Sequence, residues 1–272
     1  MPAPVSAGAV RKLLTEIASS SRHEHVLAVG GAAEHAPLLR QQMLRGRGEP
    51  GAVRLGAPEG ADVYVHVLTG ESGVEDVAVL RRAHRARVPA IAVVLGRSED
   101  TPIPYVLATD VAWAGLGDAF PLEAIARVIA ARLGEHGAPL AARVPLLREA
   151  VGEQLVSSFA RKNGIVAAAV WIPGADLPVL ALNELWLVLR LAQAHDAAGD
   201  VRDRLPELAA TLGAAFGLRA LAREVLGLVP AAGWAVKAGV AYAGTRAVGE
   251  AARLRFALAP TRPRGAVARA AP

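Results

Sequence analysis

Few residues in this chain have the type and spacing to do chemistry, and the first are Gly30 and Gly31. They close the run "HVLAVGG" ahead of "AAEHAPLLRQQML", and a glycine-rich turn opening a helix presents free backbone amides to an anion. A P-loop needs more: G-x-x-x-x-G-K-[ST], whose lysine reaches the terminal phosphates and whose hydroxyl holds magnesium. Lysine occurs only at Lys12, Lys162 and Lys237, preceded by Arg11, Arg161 and Val236, so hydrolysis of the P-loop kind lacks its lysine. A dinucleotide fingerprint fails too, because no third glycine precedes the helix. A tight strand-to-helix turn is the expected role of Gly30 and Gly31, with a weak anion site as the alternative.

The second candidates are Thr109 and Asp110, at the end of the run "PYVLATD". Read as a strand, that run puts both at a carboxyl end, where open α/β sheets bind ligands; a cap or turn is the competing role and the expected one. His23 and His25 in "RHEHV" have a spacing that suits one strand face, but no third ligand is evident, and a metal site needs three or four converging groups. "GRSED" (96 to 100) reads as a solvated loop, and "GESG" (70 to 73) is not G-x-S-x-G. The chain has no cysteine, which removes disulfides, thiolate nucleophiles and cysteine-held metals. No catalytic residue, cofactor or metal is expected.

The elements that must position these residues fall into two textures. From His25 to about Glu135 short β-branched runs alternate with amphipathic ones: 25–29, 62–68, 90–96 and 104–110 read as strands, 51–56 as a weaker one, and 75–88 and 121–135 as helices. Such alternation predicts a parallel sheet covered by helices. After Pro145 the pattern becomes almost purely helical; "LLREAVGEQLVSSFARK" places Leu147, Val151, Leu155 and Ser158 on one stripe flanked by Val144, Val156 and Phe159. The expected fold class is therefore α/β plus all-α: a helix over 1–20, a three-layer α/β domain over 21–140, an apolar helical domain over 145–256, and a disordered tail, rich in proline, alanine and arginine, over 257–272.

Two long apolar runs dominate the second half, Gly164 to Leu189 and Val225 to Thr245. At ~1.5 Å per residue the first is long enough to cross a ~30 Å hydrocarbon layer. Pro173, Gly174 and Pro178 interrupt it, and Asp176 would cost about 3 kcal/mol or more in lipid unless partnered. Asp176 suits an N-cap, with Leu177 the first helical residue and Pro178 in the first turn, where its missing N–H costs little. The second run repeats the device: Pro230, a turn to Gly233, then a helix carrying Lys237. The two breaks are expected to pack together with Asp176 and Lys237 paired, Glu184 being the other partner open to Lys237. Gly213 and Gly217, and the face of Gly239, Ala243 and Ala247, would let helices approach closely.

"IPGADLPVLALNELWLVLRLA", "AAFGLRALARE" and "VPAAGWAVKAGVAYAGTRAVGEAA" together resemble the bacterial family known as domain of unknown function 697, over about residues 145–256. Members often carry this region behind a small GTPase domain. The first half resembles such a domain with its nucleotide motifs eroded: the P-loop lysine is missing, and "LGRSED" stands where a guanine-reading N-K-x-D would. What the resemblance implies is a degenerate P-loop fold without GTPase activity, and membrane association through the apolar helices.

The 272 residues carry a formal net charge of +5, almost all of the base arginine. Arginines are scattered along the chain and no aromatic strand offers a base-stacking platform, so no nucleic-acid partner is expected. The N-terminus lacks a long apolar core after a basic start, which predicts a cytoplasmic start. Arg161, Lys162, Arg246, Arg253 and Arg255 flank the apolar runs as cytoplasmic residues would. The expected protein is a non-catalytic interaction protein at the cytoplasmic side of the cell membrane, touching lipid through its apolar helices and binding a protein partner or a second copy of itself. The alternatives are a soluble helical scaffold and, behind it, a nucleotide-binding regulator without a P-loop.

Overall fold

The structure, a computed structural model, describes residues 24–46, 48–96, 102–115, 117–169, 177–196 and 233–258, together with Gly8, Thr15 and Ser19. Those three isolated positions are each helical and fall within the helix expected over 1–20.

Five parallel strands form one sheet in the order β2-β1-β3-β4-β5. They are β1 Leu27–Gly31, β2 Val53–Leu55, β3 Val63–Thr69, β4 Ala90–Leu95 and β5 Val111–Ala114. The helices are α1 His35–Met43, α2 Val74–Arg85, α3 Leu122–Leu133, α4 Ala138–Arg143, α5 Arg148–Ala169, α6 Leu177–Ala194 and α7 Gly233–Leu258. The α/β expectation holds, down to the weak run at 51–56, which supplies β2. β3 and β4 read as near-continuous apolar runs because both their faces are covered, as parallel strands require.

Alternate β3 residues face different layers. Val63, Val65 and Val67 join Leu39 and Met43 of α1 and Ile125 and Ile129 of α3; Tyr64 and Leu68 join Leu80 and Ala83 of α2. The first layer does not stop at the sheet. Leu147 and Val144, then Val151, Leu155, Val156 and Phe159 of α5, Leu187 and Leu191 of α6 and Phe256 of α7 continue the same buried cluster. The stripe expected on α5 is thus the observed one, with Ser158 at its margin donating to Glu135. Pro145 marks the change from sheet to helix, and the core runs across it.

One strand expectation is corrected. Residues 104–110 form no strand: Pro104 lacks a donor, Tyr105 takes φ 64°, and Ala108–Asp110 make a 3-10 turn leading into β5. A β-ladder tolerates none of these well. β5 is the next four residues, Val111–Ala114, paired with Ala92–Leu95.

A second correction concerns close helix approach. Gly239, Ala243 and Ala247 lie on the exposed side of α7, and a methyl at Gly239 would meet nothing within 4 Å. The opposite side, with Ala241, Thr245 and Gly249, faces the bundle. The tight contacts fall instead at Gly164, where a methyl would stand 3.3 Å from the Ala238 carbonyl oxygen, and at Gly152 and Gly249, where it would press on Arg253 and Val156. Gly213 and Gly217 lie outside the described residues.

Candidate functional site

Gly30 and Gly31 end β1 at the carboxyl edge of the sheet, beside β3. The crossover after β1 runs through α1 on one face and that after β3 through α2 on the other, so this is the switch point at which open α/β sheets form their ligand crevice. Here both glycines pack against the protein itself. Gly31 has φ 95°, and a methyl on it would overlap the Val67 carbonyl oxygen and stand 2.7 Å from the Val67 nitrogen. The Val67 carbonyl also accepts from the Ala32 amide at 2.8 Å, and the Ala32 carbonyl accepts from His35 and Ala36. The turn is tight because β3 passes close to it. Glu34, exposed at the N-cap of α1, places a carboxylate where a helix-bound phosphate would need open positive potential.

The side of Gly30 is occupied by the Tyr64 hydroxyl. A methyl there would overlap that hydroxyl and come 3.1 Å from both Tyr64 Cζ and the Gly56 carbonyl oxygen. Tyr64 donates to His66 Nδ1 at 2.9 Å, and His66 Nε2 donates to Asp76 Oδ1 at 2.8 Å. Asp76 Oδ2 accepts from the Gly73 amide at 2.8 Å, fixing the start of α2. The carboxylate selects the Nε2–H tautomer, which leaves Nδ1 free to accept. His66 is 1% exposed. Burial foremost, opposed by Asp76, lowers its pKa; burial, helped by the Asp76 charge, raises that of Tyr64 above its ordinary value. A neutral imidazole accepting a hydrogen bond from a phenol that stays protonated is a buried structural relay.

Thr109 and Asp110 lie at the opposite edge. Asp110 sits at the amino end of β5, buried, accepting from Thr109 Oγ1 at 3.3 Å and paired with Arg132 of α3. The structure therefore does not bring the four weak candidates together. Asp110 and Arg132 border a cavity of about 330 Å³ also lined by His84, Val88, Tyr105 and Leu107.

His25 is a tether between the starts of β1 and β3, with Nδ1 3.2 Å from Asp62 Oδ1, while Asp62 Oδ2 accepts from the Val26 amide at 2.7 Å. Burial works against the Asp62 charge, but the His25 and Val26 hydrogen bonds hold its pKa below the ordinary carboxylate range. His23 lies outside the described residues. Among the described residues no cluster of three or more histidine and carboxylate side chains is placed to hold a metal ion.

In the helices, Pro173, Gly174, Asp176 and Pro230 lie outside the described residues, and with them the Asp176–Lys237 pair. The flanks are described: α6 begins at Leu177 with Pro178 in its first turn, and α7 begins at Gly233. Glu184, 0% exposed, accepts from Thr245 Oγ1 at 3.1 Å and forms no pair with Lys237. Thr245 in turn accepts from Asn163 Nδ2 at 2.8 Å, and Asn183 donates to Asn163 Oδ1 at 2.7 Å. A polar seam thus joins α5, α6 and α7. Sequence reasoning missed it, and missed the Tyr64–His66–Asp76 relay. Their only local signal is polar residues inside apolar runs, at 64 and 66 and at 183 and 184.

At the far end of α6, His195 lies against Phe256, ring centroids 6.2 Å apart. Burial first, then the charges of Arg148 and Arg253, push its pKa down to about 4.

With this geometry in hand, comparison with protein-family models gives no match, and comparison with curated proteins gives none. No helix among the described residues is long and apolar enough to cross a membrane.

Proposed function

We propose that the chain is a non-catalytic partner-binding scaffold, in which an α/β layer of degenerate GTPase-like ancestry carries a helical unit packed onto it. The observation that carries this reading is the packing of the two switch-point glycines: the Tyr64 hydroxyl occupies the side of Gly30 and Val67 closes on Gly31, while Glu34, an acidic residue, stands exposed at the helix start. Both glycines are thus accounted for by the packing of the sheet itself.

The same chain has an apolar helix whose apolarity is used internally. Leu187, Val188 and Leu191 of α6 belong to the core that contains Val65 and Ile129 of the sheet layer. Glu184 and Arg190 are buried on the same helix, with the Arg190 guanidinium 5.3 Å from the Trp186 ring. Moving α6 into lipid would expose that core and bring two charged side chains with it, each costing about 2.5–3.5 kcal/mol at the bilayer centre. This favours the scaffold over lipid insertion. A second reading, peripheral contact with anionic lipid, draws on the exposed Arg161, Lys162, Arg246 and Arg255.

The test is fractionation of cells holding the protein at native level, membranes being washed with high salt and then alkaline carbonate, alongside equilibrium dialysis of purified full chain against labelled GTP, GDP and ATP. A wholly soluble protein that retains no nucleotide is the expected result. Release by salt alone selects the peripheral reading. Persistence through both washes, or retained nucleotide, overturns the scaffold.

A further inference from the structure

The cavity at the amino edge of the sheet has no part in the scaffold reading. It opens between the C-terminal end of α2, the 3-10 turn before β5 and the C-terminal end of α3. Its size, about 330 Å³, is at the lower end of the range for small-molecule sites, so it suits a compact ligand. Three features set its chemistry.

One wall is aromatic and apolar. His84 and Tyr105 lie with ring centroids 5.5 Å apart and planes tilted by 41°, and Leu107 beside them is 60% exposed. Large apolar groups left open around a concavity are the ordinary lining of a ligand site. Tyr105 is held at φ 64°, a left-handed conformation costly for a bulky residue and found where a side chain is being aimed.

The floor is the Asp110–Arg132 pair, and its two members are not equally available. Asp110 is buried, with one oxygen taken by Thr109 and the other by Arg132. Arg132 meets Asp110 through Nη2, and among the described residues no contact engages its Nε or Nη1. The group offered to a ligand is therefore the guanidinium, a planar fork that suits a carboxylate.

The surroundings are basic. Arg81, Arg85 and Arg87, all exposed, lie within three residues of His84 along the chain, and among the described residues Asp110 is the one acidic residue lining the cavity.

We infer that this cavity binds a small organic acid of one flat ring, its ring against Tyr105 and Leu107 and its carboxylate on Arg132. Binding is competitive with Asp110 for the guanidinium, so the site is held closed to weak anions and opened by a ligand that brings its own apolar contact.

The probe is phenylacetate, titrated into the full chain and followed by two-dimensional amide NMR, with phenylacetamide as the neutral match and acetate as the ring-free one. Phenylacetate is expected to shift amides at 84–90 and 103–111 saturably with a Kd of about 1 mM or tighter; the amide and acetate should each bind at least about fivefold more weakly, having lost the charge or the ring. Tyr105→Gly suits the local φ, keeps the fold and should abolish the shifts. Asp110→Asn should tighten binding several-fold by releasing the guanidinium, an opposite sign that a merely structural pair would not give. Equal shifts with phenylacetamide, shifts mapping elsewhere, no saturation, or weaker binding in Asp110→Asn each overturn the assignment. Soluble protein without nucleotide leaves this result independent of the scaffold reading.

Discussion

Gly30 and Tyr64 should be energetically coupled, and a double-mutant cycle measures by how much. In Gly30→Ala the new methyl meets the Tyr64 hydroxyl well inside the 3.0 Å that Cβ atoms essentially never breach. The hydroxyl cannot simply swing away, because it donates to His66, and His66 is fixed by Asp76. Overpacking of this kind costs about 1–3 kcal/mol. Tyr64→Phe removes the obstruction and also leaves His66 Nδ1 buried without its donor, at about 1–3 kcal/mol. In the double variant the methyl fills the vacated space, so the loss should fall short of the sum by about 1–2 kcal/mol. Rescue stays partial, since Tyr64 Cζ and the Gly56 carbonyl oxygen remain 3.1 Å from the methyl position. Urea unfolding of the four proteins by far-UV circular dichroism gives the cycle, provided the m-values agree. Strict additivity, within about 0.5 kcal/mol, would refute the steric account of Gly30 and return that glycine to the anion-site alternative.

Thr245→Val is nearly isosteric and removes both an acceptor for Asn163 and a donor to buried Glu184; a loss of about 2–4 kcal/mol is expected, with retained helical content, and an unchanged urea midpoint would show that the seam contributes nothing. His195 gives a pH signature. Its folded pKa, about 4, lies below its ordinary value, so the unfolded state binds the proton more readily and stability falls as pH drops from about 6.5 towards 4. His195→Gln should flatten that part of the profile, whereas Asp62, whose folded pKa is lowered, contributes loss only at lower pH; an identical profile in the variant would contradict the assignment.

Much of this architecture is legible in the residues, and the failures have physical causes. β1, β3 and β4 are read correctly because β-branched runs bounded by turn residues admit few other structures, and α5 because its apolar stripe keeps helical period. The run at 104–110 has strand composition, but local chemistry outweighs it: a proline at its start, and a tyrosine held in a left-handed turn at the mouth of a cavity. With the strand displaced, Asp110 moves from the carboxyl edge to the amino edge and meets Arg132, so a site guessed from two candidate pairs becomes two unrelated places. The relay and the seam escape notice for another reason. Each is closed by tertiary contact, His66 to Asp76 across 10 positions and Asn163 to Thr245 across 82, which periodicity cannot register.

The apolar helices show the same limit from the other side. A run such as Leu177–Ala194 reads alike whether its neighbours are lipid tails or valines, since hydropathy records what the helix avoids and not what it meets. What separates the two cases is the placement of its polar residues. In lipid, Asn183, Glu184 and Arg190 would be tolerated only at a bundle interior or a wet cavity; in this fold Glu184 faces Thr245, Asn183 faces Asn163, and Arg190 covers Trp186, while Leu187 and Leu191 lie on the layer that also packs the sheet. A helix so placed has two anchors, one polar and one apolar, and neither is released without breaking the other. That mutual dependence, rather than the length of any apolar run, is why the core crosses Pro145 and why the helices and the sheet layer should unfold together.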